Sequence, residues 1–167
     1  MRIFALIVLL SPLFATLNAQ RLEVVLFLAE SCPICKSITA ELRTLDADYA
    51  DSLVRFTAYF PSKSSTAESR LRFARKYNLK FPLLADSTLG AAKEYNARVT
   101  PEVVLMDKVS NRIVYRGMVD DSFASVGKRR TIVKNHYLRD AINAALTKNS
   151  LPITETDPVG CLIQFPQ

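Results

Sequence analysis

Between residues 22 and 29 the chain reads LEVVLFLA, aliphatic and β-branched with almost no polar position. An apolar run of this length, without alternation, marks a strand buried on both faces. The period then changes. In ITAELRTLDADYA, residues 38 to 50, Ile38, Leu42, Leu45 and Tyr49 recur at helical spacing. LVRFTAYF (53–60) reads as a second strand. TAESRLRFARKYN (66–78) reads as an amphipathic helix with Leu71, Phe73, Ala74 and Tyr77 as its apolar residues. FPLLAD (81–86) is expected as a short buried segment, and TLGAAKEYNA (88–97) as a short helix. EVVLMD (102–107) is a third clear strand, and NRIVYRGMV (111–119) pairs with it through a turn at KVSN. TIVKNHYLRDAINAALTK, 131 to 148, is expected to be one long helix. Strands alternating with helices predict an α/β domain with a central mixed sheet flanked by helices.

The first twenty residues, MRIFALIVLLSPLFATLNAQ, do not belong to this pattern. Arg2 precedes an apolar run from Ile3 to Leu10, Pro12 breaks it, and Leu17-Asn18-Ala19 offers a small residue for cleavage. This is the layout of a secretory signal peptide over residues 1–19, with Gln20 as the expected mature start and a periplasmic or secreted destination. The run is short for a membrane span, and Pro12 and Asn18 sit badly in one. Residues 20–167 then form a 148-residue domain, large enough for a sizeable core. Without Arg2 the side chains number 21 basic against 16 acidic, so net charge falls from +6 to +5. Apart from GKRR at 127–130 the basic residues are scattered, and no stripe interleaves them with aromatics, which argues against a nucleic-acid partner.

Two of the three cysteines fall in ESCPICKS, residues 30 to 37. In an oxidising compartment they could form an ordinary structural bridge. A bridge closing so short a loop stabilises little, because the effect grows with loop length. The flanking pattern points to chemistry instead. The buried strand before the pair and the helix after it place Cys32 and Cys35 at a strand-to-helix junction, with Pro33 suited to the first helical turn. The positive end of that helix favours a thiolate, and Lys36 adds a cation. The second informative stretch is RVTPEVVLMD, 98 to 107. A proline that opens a strand is either at a sheet edge or in the cis form. The cis form would set the Thr100 backbone beside a redox site, free to pair with a bound peptide.

On FLAESCPICKSI, FPLLAD, VTPEVVLMD and YRGMVDDSF…GKRR the chain resembles the thioredoxin-like superfamily, and within it the redoxin, peroxiredoxin-like (AhpC/TSA-type) branch. The tail DPVGCLIQF is similar to the ending of exported, bacterial-type members. The resemblance covers about residues 22 to 163. It implies the thioredoxin fold, Cys32 as an exposed attacking thiol, Cys35 as its resolving partner, and Pro101 as a cis-proline facing them with Thr100 before it. It further implies a thiol-disulfide oxidoreductase without a cofactor, acting on protein or small-molecule disulfides and thiols, with a redox partner protein as electron donor. In such a cycle a Cys32 thiolate attacks a substrate disulfide and Cys35 then attacks the mixed disulfide.

The chain departs from thioredoxins in two places. Ser31 stands where they have a tryptophan, and Leu26 stands where they have a buried acid. That leaves Glu30 as the candidate proton acceptor for Cys35, beside its reading as a surface glutamate. A thiol peroxidase acting on peroxides is the alternative on the same scaffold. By the peroxiredoxin pattern the peroxide-reducing thiol would be Cys35, with Cys32 in the place of a hydroxyl residue and Arg98 as a weak match to the required arginine. A third class is metal binding by Cys32, Cys35, Cys161 and His136. Cys161 itself could resolve a disulfide, pair with a partner, or be a buried small hydrophobe.

Overall fold

The computed structural model describes residues 21–166; the expected leader 1–19 and mature start Gln20 lie outside them. The first apolar run forms β1 (Leu22–Phe27), and LVRFTAYF forms β2 (Val54–Phe60), parallel to it in register from Leu22↔Val54 to Phe27↔Tyr59. β3 (Leu83–Ala85) continues the parallel set beyond β2. β4 (Val99–Thr100) lies outside this sheet. β5 (Glu102–Asp107) runs antiparallel along the other edge of β1, and β6 (Arg112–Gly117) antiparallel along β5. The order β3-β2-β1-β5-β6 makes a mixed sheet with β1 at its centre, which is why every position of β1 except Glu23 is buried.

Among the described residues four helices cover the two faces. α1 (Pro33–Asp48), α2 (Ala67–Tyr77) and α4 (Tyr137–Thr147) share the larger core layer with Leu22, Val24 and Leu26 of β1. α3 (Gly90–Glu94) joins a smaller layer with Val25 and Phe27 on the opposite face. α2 opens on a reciprocal capping box, Thr66 Oγ1 accepting from Ser69 N and Ser69 Oγ accepting from Thr66 N. Asp86 caps α3 by accepting from the backbone of Ala91 and Ala92.

Three expectations are corrected. FPLLAD is not a buried segment: β3 is an edge strand, and Leu84 and Ala85 are exposed. Leu71 does not join the apolar face of α2, which rests on Phe73 alone as a buried residue. The last helix begins at Tyr137 rather than at 131. The Asp121 carboxylate accepts from the backbone of Lys134 and Asn135 and from the Asn135 side chain, holding that segment outside the helix. Ile132 has no core to face and is exposed. His136 is consequently the residue before the helix.

GKRR contributes Gly127 to a turn between β7 (Phe123–Ser125) and β8 (Lys128–Arg129), an exposed two-stranded hairpin. The chain then returns past β6. Thr156 N donates to the Arg116 carbonyl and Arg116 N to the Thr154 carbonyl, both at 3.0 Å, while Thr156 Oγ1 accepts from Met118 N at 2.8 Å and meets the buried Tyr115 hydroxyl at 2.7 Å. Gly117 makes this approach feasible: its φ is +133°, and a Cβ there would overlap Thr156. From this anchor the tail runs to β9 (Cys161–Leu162), antiparallel to β4.

Candidate active site

Cys32 is the last residue before α1, with φ −73° and ψ 120°, and Pro33 follows as the first helical residue. No side chain caps this helix. The backbone N–H groups of its first turn therefore remain available to the Cys32 sulfur, and those of Ile34 and Cys35 both favour its thiolate. The strongest influence is the Cys35 thiol, whose hydrogen bond does most to bring the Cys32 pKa down from 9.0 to about 5. Burial works the other way, and the Cys161 thiol adds a further lowering contact. The protonated Cys32 thiol donates to the Thr100 carbonyl at 3.1 Å, which favours the neutral form. A single acceptor is thus set against several donors.

Cys35 lies one turn into α1 and has no exposed surface. Burial pushes its thiol well above 9.0, and the neighbouring Cys32 charge raises it further. Its sulfur accepts from Ala29 N at 3.4 Å. The two thiols of one short motif are therefore set apart: the first ionises easily and the second holds its proton.

Across from them, the Thr100–Pro101 peptide is cis. β5 has a strand on each side, so Pro101 does not open an edge strand. Glu102, the next residue, is buried, and its Oε2 accepts from the backbone of Arg98 and Val99 at 2.7 and 3.3 Å. It fixes the turn that presents Thr100. The sequence reading gave this residue no role, although an acid directly after the proline in an apolar strand was the available signal. Glu102 aligns with Phe27 in the sheet and shares a face with Val104, so it faces the α3 layer, not the α1 layer that holds Cys35.

Cys32 is not the exposed thiol the resemblance implied: it is 1% exposed. The cover is the tail. Cys161 lies opposite Thr100 in the β4–β9 ladder, and its sulfur is 2.7 Å from that of Cys32. The separation is longer than a disulfide bond of about 2.05 Å. Burial, and next the hydrogen bond to Cys32, push the Cys161 thiol up to about 11. Gly160 permits the approach, since a Cβ at that position would overlap the Thr100 carbonyl. Beside this cluster, a small cleft of about 20 Å³ has Ile34, Ile38, Pro101, Val119, Asp120 and Val159 among its lining residues.

The remaining candidates lie apart. Glu30 Oε1 accepts from the hydroxyls of Ser65 and Ser69 at 2.7 and 2.6 Å, tying the loop before Cys32 to the start of α2. Arg98 is half exposed and makes a 3.6 Å surface ion pair with Asp157. Among the described residues no group of three or more His, Cys, Asp or Glu side chains is arranged to hold a metal ion.

A family model described as the AhpC/TSA family matches residues 14–133, which include both Cys32-Pro-Ile-Cys35 and the Thr100–Pro101 strand. No curated protein matches the chain significantly. Among solved structures, a hypothetical protein from Sinorhizobium meliloti is similar with a TM-score of 0.78 and 28% identity, over 89% of this chain and 82% of that one. An uncharacterized conserved protein from Geobacillus kaustophilus gives the same score and identity, over 89% and 79%. A secreted Mycobacterium tuberculosis disulfide oxidoreductase homologous to E. coli DsbE shares the fold at 19% identity, with a TM-score of 0.56 over 76% and 84%. The sheet order, the cysteines at the head of α1 and the breadth of the family match lead to one assignment: the chain has the thioredoxin-like fold and belongs to the AhpC/TSA family.

Proposed function

We propose that the protein is an exported thiol-disulfide oxidoreductase in which Cys32 attacks and Cys35 resolves. The observation that carries this reading is the opposite tuning of the two thiols, one lowered to about 5 and the other buried and raised. A thiolate is the attacking species in exchange. The Cys32 thiolate attacks one sulfur of a substrate disulfide, forming a mixed disulfide and releasing the first substrate thiolate. Cys35 then loses its proton and attacks Cys32 Sγ. This forms the Cys32–Cys35 disulfide and releases the second substrate thiol. The substrate gains two electrons, and a redox partner protein with a reduced dithiol restores the enzyme. In this reading Thr100 and Pro101 shape the wall against which the substrate chain lies.

Replacing Cys35 with serine in a Cys161→Ser background should arrest the cycle and leave substrate linked to Cys32, seen as an adduct on non-reducing mass analysis. If Cys32 stays free in that variant while wild type turns over, the assignment of roles is wrong.

AhpC/TSA membership favours a second reading, a thiol peroxidase. Its peroxide-reducing thiol would be Cys35, and the burial and raised pKa of that thiol weigh against it. Stopped-flow mixing of reduced protein with hydrogen peroxide distinguishes the two. Thiol loss far faster than that of a free thiolate supports the peroxidase. Export rests on the leader pattern of residues 1–19, and Gln20 as the first residue of the secreted protein is the outcome expected from N-terminal sequencing.

A further inference from the structure

The AhpC/TSA match ends at residue 133, and the chain beyond that residue includes a segment that the CxxC chemistry leaves without a part. That segment is held at four points. Thr156 is anchored on Tyr115 and Met118, Cys161 pairs with Thr100, Ile163 N donates to the Arg98 carbonyl at 3.0 Å, and the Ile163 side chain enters the smaller core layer. Between the anchors, Gly160 brings the tail backbone against the Thr100 carbonyl, and the Cys161 sulfur stands 2.7 Å from the Cys32 sulfur. An extended chain that adds to an open strand edge and delivers a cysteine to the nucleophile is the geometry of a bound protein substrate. Here the chain supplies that segment itself.

We propose that Cys161 is a third redox cysteine: the tail is a tethered cysteine peptide on the docking edge of β4, and Cys161 exchanges with Cys35 for the disulfide to Cys32. The inference rests on Cys32 being the nucleophile of the proposed exchange cycle. In the oxidised protein the Cys161 thiol loses its proton and its sulfur attacks Cys32 Sγ of the Cys32–Cys35 bond. A Cys32–Cys161 bond forms, the Cys32–Cys35 bond breaks, and Cys35 leaves as a thiolate that takes up a proton. One disulfide replaces another, so no external oxidant is consumed. During turnover Cys161 can also perform the resolving step. It attacks Cys32 in a mixed disulfide and releases the substrate thiol, as Cys35 does. The protein thus holds two internal resolving thiols, one inside α1 and one on a strand that a docking partner would displace.

The test uses oxidised glutathione as the disulfide, with acid quenching and peptide mapping of the disulfides. Reduced Cys35→Ser protein should take one glutathione onto Cys32, release it, and finish with a Cys32–Cys161 bond. In Cys35→Ser/Cys161→Ser the glutathione should remain on Cys32. Its release should be at least about tenfold faster in the single variant, because a tethered thiol acts at high effective concentration. Wild type oxidised by the same reagent should yield both the Cys32–Cys35 and Cys32–Cys161 bonds. Gly160→Val, which keeps all three cysteines, should lose the second of these and keep the first.

Two outcomes overturn the proposal while leaving the oxidoreductase reading intact. One is Cys35→Ser protein that holds glutathione on Cys32 as long as the double variant does. The other is a Cys32–Cys161 bond in wild type that persists with no Cys32–Cys35 bond formed, which marks an inert staple. A Cys32 that takes up glutathione no faster than an unstructured cysteine peptide, in every variant, overturns the oxidoreductase reading itself and the inference with it.

Discussion

Cys35 and Cys161 both serve Cys32, but from regions built on different principles. Cys35 is three residues away in the same helical turn, fixed by α1, whose Ile34, Ile38, Leu42 and Leu45 are buried in the larger core layer. Cys161 arrives from 129 residues further along, on a two-residue strand held by a few hydrogen bonds, the buried Ile163 and the half-buried Val159. The helical contact is as stable as the core. The tail contact is only as stable as its anchors, since local opening draws on the least-packed elements. One thiol is a permanent neighbour of Cys32 and the other is removable.

The most severe way to break this contrast is to remove its common target. Cys32→Ser should abolish disulfide exchange and leave Cys35 and Cys161 unlinked under oxidation, read by turnover of a small disulfide and by disulfide mapping. Next in size is an attack on the helical side. Leu42→Ala empties a fully buried site and should cost about 2–5 kcal/mol of global stability. Urea unfolding measures this, and a cost under about 1 kcal/mol would mean that α1 is not the rigid side. On the tail side, Thr156→Val removes the hydroxyl shared by Tyr115 and Met118 and should cost about 1–3 kcal/mol. Its signature should be local, with hydrogen exchange accelerated at Cys161 and Ile163 and unchanged in β1. Gly160→Ala should have a smaller global effect. It should still raise the alkylation rate of Cys32 several-fold, because the added methyl pushes the tail from the Thr100 carbonyl.

The pH dependence sharpens the same contrast. With Cys32 lowered to about 5, its alkylation by iodoacetamide should rise as pH increases through 5 and level off near neutrality. Cys161→Ala removes one stabilising donor and should move that inflection upward. Cys35→Ala removes the largest and should move it further. Equal shifts from the two would mean that the thiols hold Cys32 alike. Stability follows the same signs. The depressed Cys32 pKa contributes stability to the reduced protein that is full above 9.0 and lost as pH falls through about 5. The raised Cys161 pKa contributes stability that is full below 9.0 and lost as pH rises through about 11.

The two regions also differ in how readable they were. Unbroken apolar runs, a helical repeat after Pro33 and a proline opening EVVLMD were enough to predict the sheet, the head of α1 and a special backbone at Thr100–Pro101. Each of those signals is local, carried by neighbours in sequence. The cover on Cys32 is not. It depends on Gly117 admitting Thr156, on Gly160 admitting the Thr100 carbonyl, and on Asp121 holding 134–135 out of a helix. Each of these is a contact between distant segments whose residue types are ordinary in isolation. The helical pattern of 131–148 was misread for the same reason: propensity favoured a helix to which a distant carboxylate gives another path.

The long separation between the two sulfurs sets an order of events. At about 5–20 residues per second, the 129 residues between Cys32 and Cys161 take roughly 6–26 s to synthesise. Throughout that interval the first two cysteines exist without the strand that shields them, and any shortened chain ending before Gly160 keeps Cys32 bare. The closing segment therefore acts as a completion mark, because only a chain that has reached its tail carries a guarded thiol.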